Sequence, residues 1–128
     1  MSRIVLLEPD SQLGQTYQQG LVFAGHDVEW CADAQAAVDA LSTSKPDLII
    51  TELQLAMHNG VEFLYELRSY ADWQKLPVMV LSHVPQLEQG VSQTLWQNIG
   101  IAAYHYKPLT RLHDLIRSVE AVLTPVGA

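Results

Sequence analysis

Pro46-Asp47-Leu48-Ile49-Ile50-Thr51-Glu52-Leu53-Gln54-Leu55-Ala56-Met57-His58-Asn59-Gly60 is the stretch on which the reading of this chain turns. Leu48, Ile49 and Ile50 make an apolar run too short for a helix, entered from Pro46 and left on polar residues, which predicts a strand buried on both faces. Glu52 then stands at the carboxyl tip of that strand. In a parallel sheet covered by helices on both sides, ligands and chemistry collect at those tips, so a carboxylate there is a candidate functional group. A solvated strand end is the plain alternative, and only matching groups at neighbouring tips separate the two.

The pattern repeats outward in both directions. Ile4-Val5-Leu6-Leu7 is a first strand, and Glu8-Pro9-Asp10-Ser11 ends it and offers Asp10 or Ser11 as the cap of a helix carrying Leu13, Tyr17, Leu21 and Val22, closed by Gly25. Residues 26–32 form a second strand with Val28 and Trp30 on one side, and Asp33 caps a helix whose Ala36, Ala37, Ala40 and Leu41 face inward until Lys45-Pro46 stops it. Beyond the opening stretch, Asn59-Gly60 turns into a helix bearing Val61, Leu64, Leu67 and Arg68, and residues 76–82 repeat the buried strand, with Ser82 at its tip. A fourth helix is expected from Val91, Leu95 and Ile99, ending at Gly100. A fifth, more polar strand over 101–106 is closed by Lys107-Pro108, and a last helix carries Leu112, Leu115, Ile116, Val119 and Leu123 on one stripe. Five strands alternating with five helices predict an α/β, doubly wound parallel sheet with right-handed crossovers, occupying residues 1–128 as one domain.

Composition narrows the function. With 48% hydrophobic and 16% charged residues in 128, the chain has the makings of one layered core and no disordered tract. A net charge of −7, with seven Lys and Arg among fourteen acids, supplies no basic patch for nucleic acid. The apolar start is too short for a signal peptide or a membrane span, and Cys31, the only cysteine, permits no internal disulfide. Both features fit the cytoplasm, with Cys31 as a small buried hydrophobe. His26, His58, His83, His105 and His113 lack metal-ligand spacing, and Glu8-Pro9-Asp10-Ser11-Gln12-Leu13-Gly14 is no phosphate-binding glycine loop.

The groups at the tips, Glu8-Pro9-Asp10, Glu52, Ser82 and Lys107-Pro108, together with Pro-Asp-Leu-Ile-Ile before an acid, Asn-Gly beyond it, Pro-Val-x-Val-Leu-Ser and Tyr-x-x-Lys-Pro, resemble the receiver domain of bacterial response regulators along essentially the whole chain. The resemblance implies a flavodoxin-like domain of CheY type in which a histidine kinase donates a phosphoryl group to an aspartate at the third strand's tip. Acids after the first strand would hold a divalent cation, a hydroxyl at Ser82 and an amine at Lys107 would bind the phosphoryl oxygens, and the ring at Tyr104 would swing inward. Ser82, Lys107, Pro108, Tyr104 and Glu8 match the pattern.

Two positions depart from it. Glu52 stands where an aspartate is expected, and Pro9 replaces the second acid, leaving Asp10, one residue on, as either a metal ligand or a helix cap. One extra methylene carries the Glu52 carboxylate about 1–1.5 Å into the space of the phosphoryl group, against the tight positioning that in-line attack requires. Losing a ligand at Pro9 leaves Mg²⁺ weakly held by Glu8 and Asp10 or absent. The departures imply a degenerate receiver of a two-component phosphorelay, acting through protein contacts, with Glu52 reaching Lys107 and Ser82 in place of a phosphoryl oxygen. A domain that keeps the fold as a binding platform and has lost the switch, a receiver still phosphorylated by its kinase, and a small doubly wound hydrolase using Glu52 or Asp10 as base, are the alternatives.

Lys107 lies 25 positions after Ser82. That is about three more than the family pattern, a surplus that a loop absorbs at small entropic cost. The resemblance places docking of a histidine kinase or other signalling protein, and dimerisation, on the last two helices and the fifth strand. Trp96, His105 and Tyr106 lie on or near that face, with core or rim packing the expected role of Trp96.

Overall fold

The computed structural model describes residues 2–55, 59–86 and 93–124. The strands are β1 (Arg3–Leu7), β2 (Asp27–Cys31), β3 (Leu48–Thr51), β4 (Val78–Ser82) and β5 (Ala103–Tyr106). They form one parallel sheet in the order β2-β1-β3-β4-β5, the doubly wound flavodoxin-like arrangement expected from the sequence. The helices are α1 (Ser11–Phe23), α2 (Ala34–Thr43), α3 (Gly60–Ser69), α4 (Thr94–Ile99) and α5 (Leu112–Leu123).

Alternation along each central strand divides the core in two. Val5, Leu7, Ile49, Val78 and Val80 point to one face and meet α2, α3 and α4 through Ala37, Leu41, Leu64, Leu67, Leu95 and Ile99. Ile4, Leu6, Leu48, Ile50, Met79 and Leu81 point to the other and meet α1 and α5 through Tyr17, Leu21, Leu115 and Val119. Leu48, Ile49 and Ile50 are fully buried, which explains the unbroken apolar run, and each such side chain stabilises the fold by about 1.5–3 kcal/mol.

The expected caps form. Asp10 accepts from Leu13 N at 2.9 Å and Asp33 from Ala36 N at 2.8 Å. Asn59, expected as part of a turn, caps α3 by accepting from Val61 N at 2.8 Å. Cys31 is buried, as expected of a small hydrophobe.

One expectation needs correction, one core residue adds to those expected, and the fourth helix is seen in part. Val22 is half exposed and lies off the packed stripe of α1. Phe63, unremarked in the sequence, is buried in the core beside Leu64. The fourth helix is described only as a six-residue π-helical segment, closed by Gly100 N donating to Leu95 O at 2.8 Å, and Val91 lies outside the described residues. Leu95 and Ile99 are buried as expected, and Trp96, 38% exposed, sits on the rim, one of the two placements expected of it. Arg68 braces this segment: its guanidinium donates to Ile99 O at 2.9 Å, Trp73 O at 2.8 Å and Leu76 O at 2.7 Å.

Gly60 brings the start of α3 onto the chain just past β3. A Cβ at that position would fall 2.5 Å from Leu53 Cα and 2.6 Å from Leu53 O, backbone atoms that cannot turn aside. Gly60→Ala is therefore expected to lower the unfolding free energy by about 1–3 kcal/mol, the usual range for overpacking. Urea denaturation followed by circular dichroism measures it, and an unchanged midpoint would contradict this packing.

Candidate functional site

Parallel register carries the candidate residues together. Leu7 is paired with Thr51, so Glu8 and Glu52, each one residue further, emerge side by side, and Glu52 N donates to Leu7 O at 3.1 Å. On the far side, Ser82 is level with Tyr106, and Lys107 comes immediately after it. All four are buried: Glu8, Glu52, Ser82 and Lys107 expose between 0% and 8% of their surface.

The centre is one ammonium between two carboxylates. Lys107 Nζ lies 2.6 Å from Glu8 Oε1 and 2.7 Å from Glu52 Oε1. The Glu52 contact was expected; the Glu8 contact was not, because nothing in the order of residues shows that a lysine about a hundred positions away turns toward the first tip. Glu52 has further donors. Its Oε2 accepts from Leu53 N at 2.6 Å, from Gln54 N at 3.0 Å and from the Ser82 hydroxyl, and its Oε1 accepts from His83 N at 3.2 Å. Burial alone would push the Glu52 carboxyl above its ordinary pKa, but the hydrogen bonds from Lys107, Ser82 and Gln54 and the charge of Lys107 outweigh it and hold the group below that value.

A relay leads away from this carboxylate. The Ser82 hydroxyl that donates to Glu52 also accepts from Val84 N at 3.0 Å, and the Tyr104 hydroxyl donates to Val84 O. Tyr104 packs against the core cluster on the α2–α3–α4 face, so its ring is turned inward. His105, next in the strand, faces the other way and bonds Ser118 of α5 at 2.7 Å, with burial lowering its pKa.

The proposed metal residues do not assemble a cation site. Glu8 Oε1 is taken by Lys107, and its Oε2 accepts from Asp10 N at 3.0 Å. Asp10 is exposed and spends a carboxylate oxygen on capping α1, so of its two readings the cap is the one realised, and Pro9 brings no oxygen in its side chain. Among the described residues, no three His, Cys, Asp or Glu side chains are placed to share a metal ion. This donor set does not suit Mg²⁺, which needs near-octahedral oxygen ligands.

Several participants were not singled out from sequence. Trp30 donates its indole N–H to Glu8 O at 3.0 Å and lies where a side chain on α1 would otherwise stand, since a Cβ on Gly14 would fall 2.1 Å from Trp30 Cε2. Tyr17 senses the acids: burial first, then the charges of Glu8, Glu52 and Asp10, push its phenol up to about 12. His83, whose position just past Ser82 was the only signal, brings Nδ1 to 3.4 Å from Glu52 Oε1 while its ring stays half exposed. The backbone donors of Leu53, Gln54 and His83 carry no sequence signature.

Breaking a buried pair leaves a charge uncompensated, so Lys107→Ala is expected to cost about 3–5 kcal/mol at pH 7. The folded-state pKa of Glu52 lies below its unfolded value, so its contribution is complete above the ordinary carboxylate pKa, about 4.3, and is lost as pH falls through the folded-state value. Urea midpoints measured from pH 7 downward should accordingly fall less steeply for Glu52→Gln than for the parent, and parallel curves would show the carboxylate to be unshifted.

The family profile of the response regulator receiver domain matches residues 4–120 of this chain. The chain is 33% identical over 122 residues to the transcriptional regulatory protein QseB of Haemophilus influenzae and 26% identical over 121 residues to the response regulator MprA of Mycolicibacterium vanbaalenii. These alignments take in 90% and 94% of this chain but 52% and 50% of the relatives, so the chain spans about half the length of the curated relatives it matches. Among solved structures, the chemotaxis protein CheY4 of Vibrio cholerae matches with a TM-score of 0.84 at 20% identity, over 95% of this chain and 98% of its own. The non-phosphorylated HemR receiver domain of Leptospira biflexa matches with a TM-score of 0.83 at 24% identity, over 100% and 98%. At these identities the structural likeness speaks for the fold.

Proposed function

Since this chain belongs to the response regulator receiver domain family, and is thus a signalling domain of the two-component type, we propose that it is a receiver held by its own carboxylate rather than by a transferred phosphoryl group. The observation that carries this reading is the saturation of Glu52. Its two oxygens accept from an ammonium, a hydroxyl and three backbone N–H groups. A carboxylate so engaged has its lone pairs directed into donors, and Lys107 and Ser82, which would meet an incoming phosphoryl oxygen, are already occupied.

In this reading the hydrogen-bonded line from Glu52 through Ser82 and Val84 keeps Tyr104 turned inward without phosphorylation. The signal then lies in the contacts the domain makes. We assign docking of a histidine kinase or another signalling protein, and pairing with a second copy, to the face built by α4, β5 and α5, where Trp96 is exposed. The compartment we assign is the cytoplasm, in keeping with a lone buried thiol.

Incubation with acetyl phosphate and Mg²⁺, with detection by mass spectrometry, tests the central point. No acyl phosphate is expected on Glu52 of the parent chain, whereas the double variant P9D/E52D, which shortens the acceptor and restores an acid beside Glu8, is expected to take up label. A stable phosphoryl group on Glu52 itself would establish a working phosphoreceiver instead.

A further inference from the structure

We propose that Lys107 is the resident cation of this site. Its ammonium takes over the charge neutralisation that a divalent ion would provide between the tips of β1 and β3, so the domain is complete without metal. This rests on the reading of Glu52 as a permanent occupant of the site.

The argument begins with position. A single nitrogen stands 2.6 Å from one buried carboxylate and 2.7 Å from another, contributed by two adjacent strands, and so bridges them as a shared cation does. A divalent ion bound to either Oε1 would have to share that oxygen with the ammonium and face a like charge at close range, with little water between to screen it. The neighbouring oxygens are engaged as well, by neutral N–H donors that hold them less strongly than the ammonium holds the two Oε1 atoms. Glu8 Oε2 is held by Asp10 N, Asp10 caps α1, residue 9 is proline, and the Trp30 indole holds the Glu8 carbonyl.

The charge balance dictates the effect of removing the lysine. Glu8 and Glu52 bring two carboxylates against the one ammonium of Lys107. Without Lys107, two carboxylates would share a buried space with no permanent cation, the condition under which hard divalent ions bind oxygen ligands. The lysine thus masks a latent cation site.

The probe is Mg²⁺ alone, added to the full chain and monitored by ¹H–¹⁵N NMR and thermal unfolding. In the parent, millimolar Mg²⁺ is expected to leave the amides of Glu8, Glu52, Gln54 and His83 and the melting temperature unchanged. In Lys107→Ala, Mg²⁺ is expected to shift those amides saturably and raise the melting temperature with concentration, as binding to the folded state alone requires. Adding Glu8→Gln to that variant is expected to abolish the response. If Lys107→Ala does not fold in buffer, recovery of its circular dichroism on adding Mg²⁺ supports the inference, and failure to recover counts against it. Saturable Mg²⁺ shifts in the parent, or a folded Lys107→Ala variant as indifferent as the parent, would overturn it. The two readings fail separately: phosphorylation of Glu52 removes the first, whereas Mg²⁺ bound by an unlabelled parent removes only the second.

Discussion

A buried ammonium shared by two carboxylates is the constraint around which the carboxyl end of this sheet is arranged. Taking three charges out of water costs several kcal/mol per ion after relaxation, and this is recovered only when geometry is good and the remaining lone pairs find donors. Here they do. The backbone N–H groups of Leu53, Gln54 and His83 and the Ser82 hydroxyl complete Glu52, and Asp10 N completes a Glu8 oxygen. The chain past each strand therefore has to turn so that its amides point inward, and Gly60 permits this beside Leu53 because a side chain there would strike the backbone.

The same constraint links the site to the rest of the domain. Ser82 is committed on one side to Glu52 and on the other to Val84 N, and Val84 O receives the Tyr104 hydroxyl. Hydrogen bonds thus connect the carboxylate in the site to an aromatic ring two strands away. In a receiver that cycles, an occupant that arrives and leaves would move that ring. In the reading proposed above, a glutamate covalently part of the chain is a permanent occupant, though a carboxylate brings about one charge and two oxygens where a phosphoryl group brings nearly two charges and three. Arg68 secures the neighbouring region independently by giving its donors to carbonyls at the end of α4 and ahead of β4.

Much of the fold was legible in the order of residues. Apolar runs such as Leu48-Ile49-Ile50 announce strands buried on both faces, Asp10 and Asp33 announce helix starts, and their alternation determines a doubly wound parallel sheet. These signals are local, and local geometry produces them. The apolar character of Val22 says nothing about its angle around α1, and Phe63 is buried beside a stripe that Val61, Leu64 and Leu67 already make plausible without it. The spacing of Leu95 and Ile99 announces the fourth helix, but apolar spacing alone does not say that the turn between them is π-helical.

For the site, the sequence by itself determined the cast: an over-long acid at Glu52, a hydroxyl at Ser82, an amine at Lys107, an acid at Glu8 and a proline at Pro9 where a second acid would stand. Only the tertiary structure decided how they pair, and above all that Lys107 is divided between Glu52 and Glu8 while Asp10 is spent on α1. The physical reason is that strand register fixes which tips are adjacent, but the direction of a long side chain depends on which charges and amides surround it once water is excluded. Those partners come from strands far apart in the chain and from backbone groups common to almost every residue, so no local pattern encodes them.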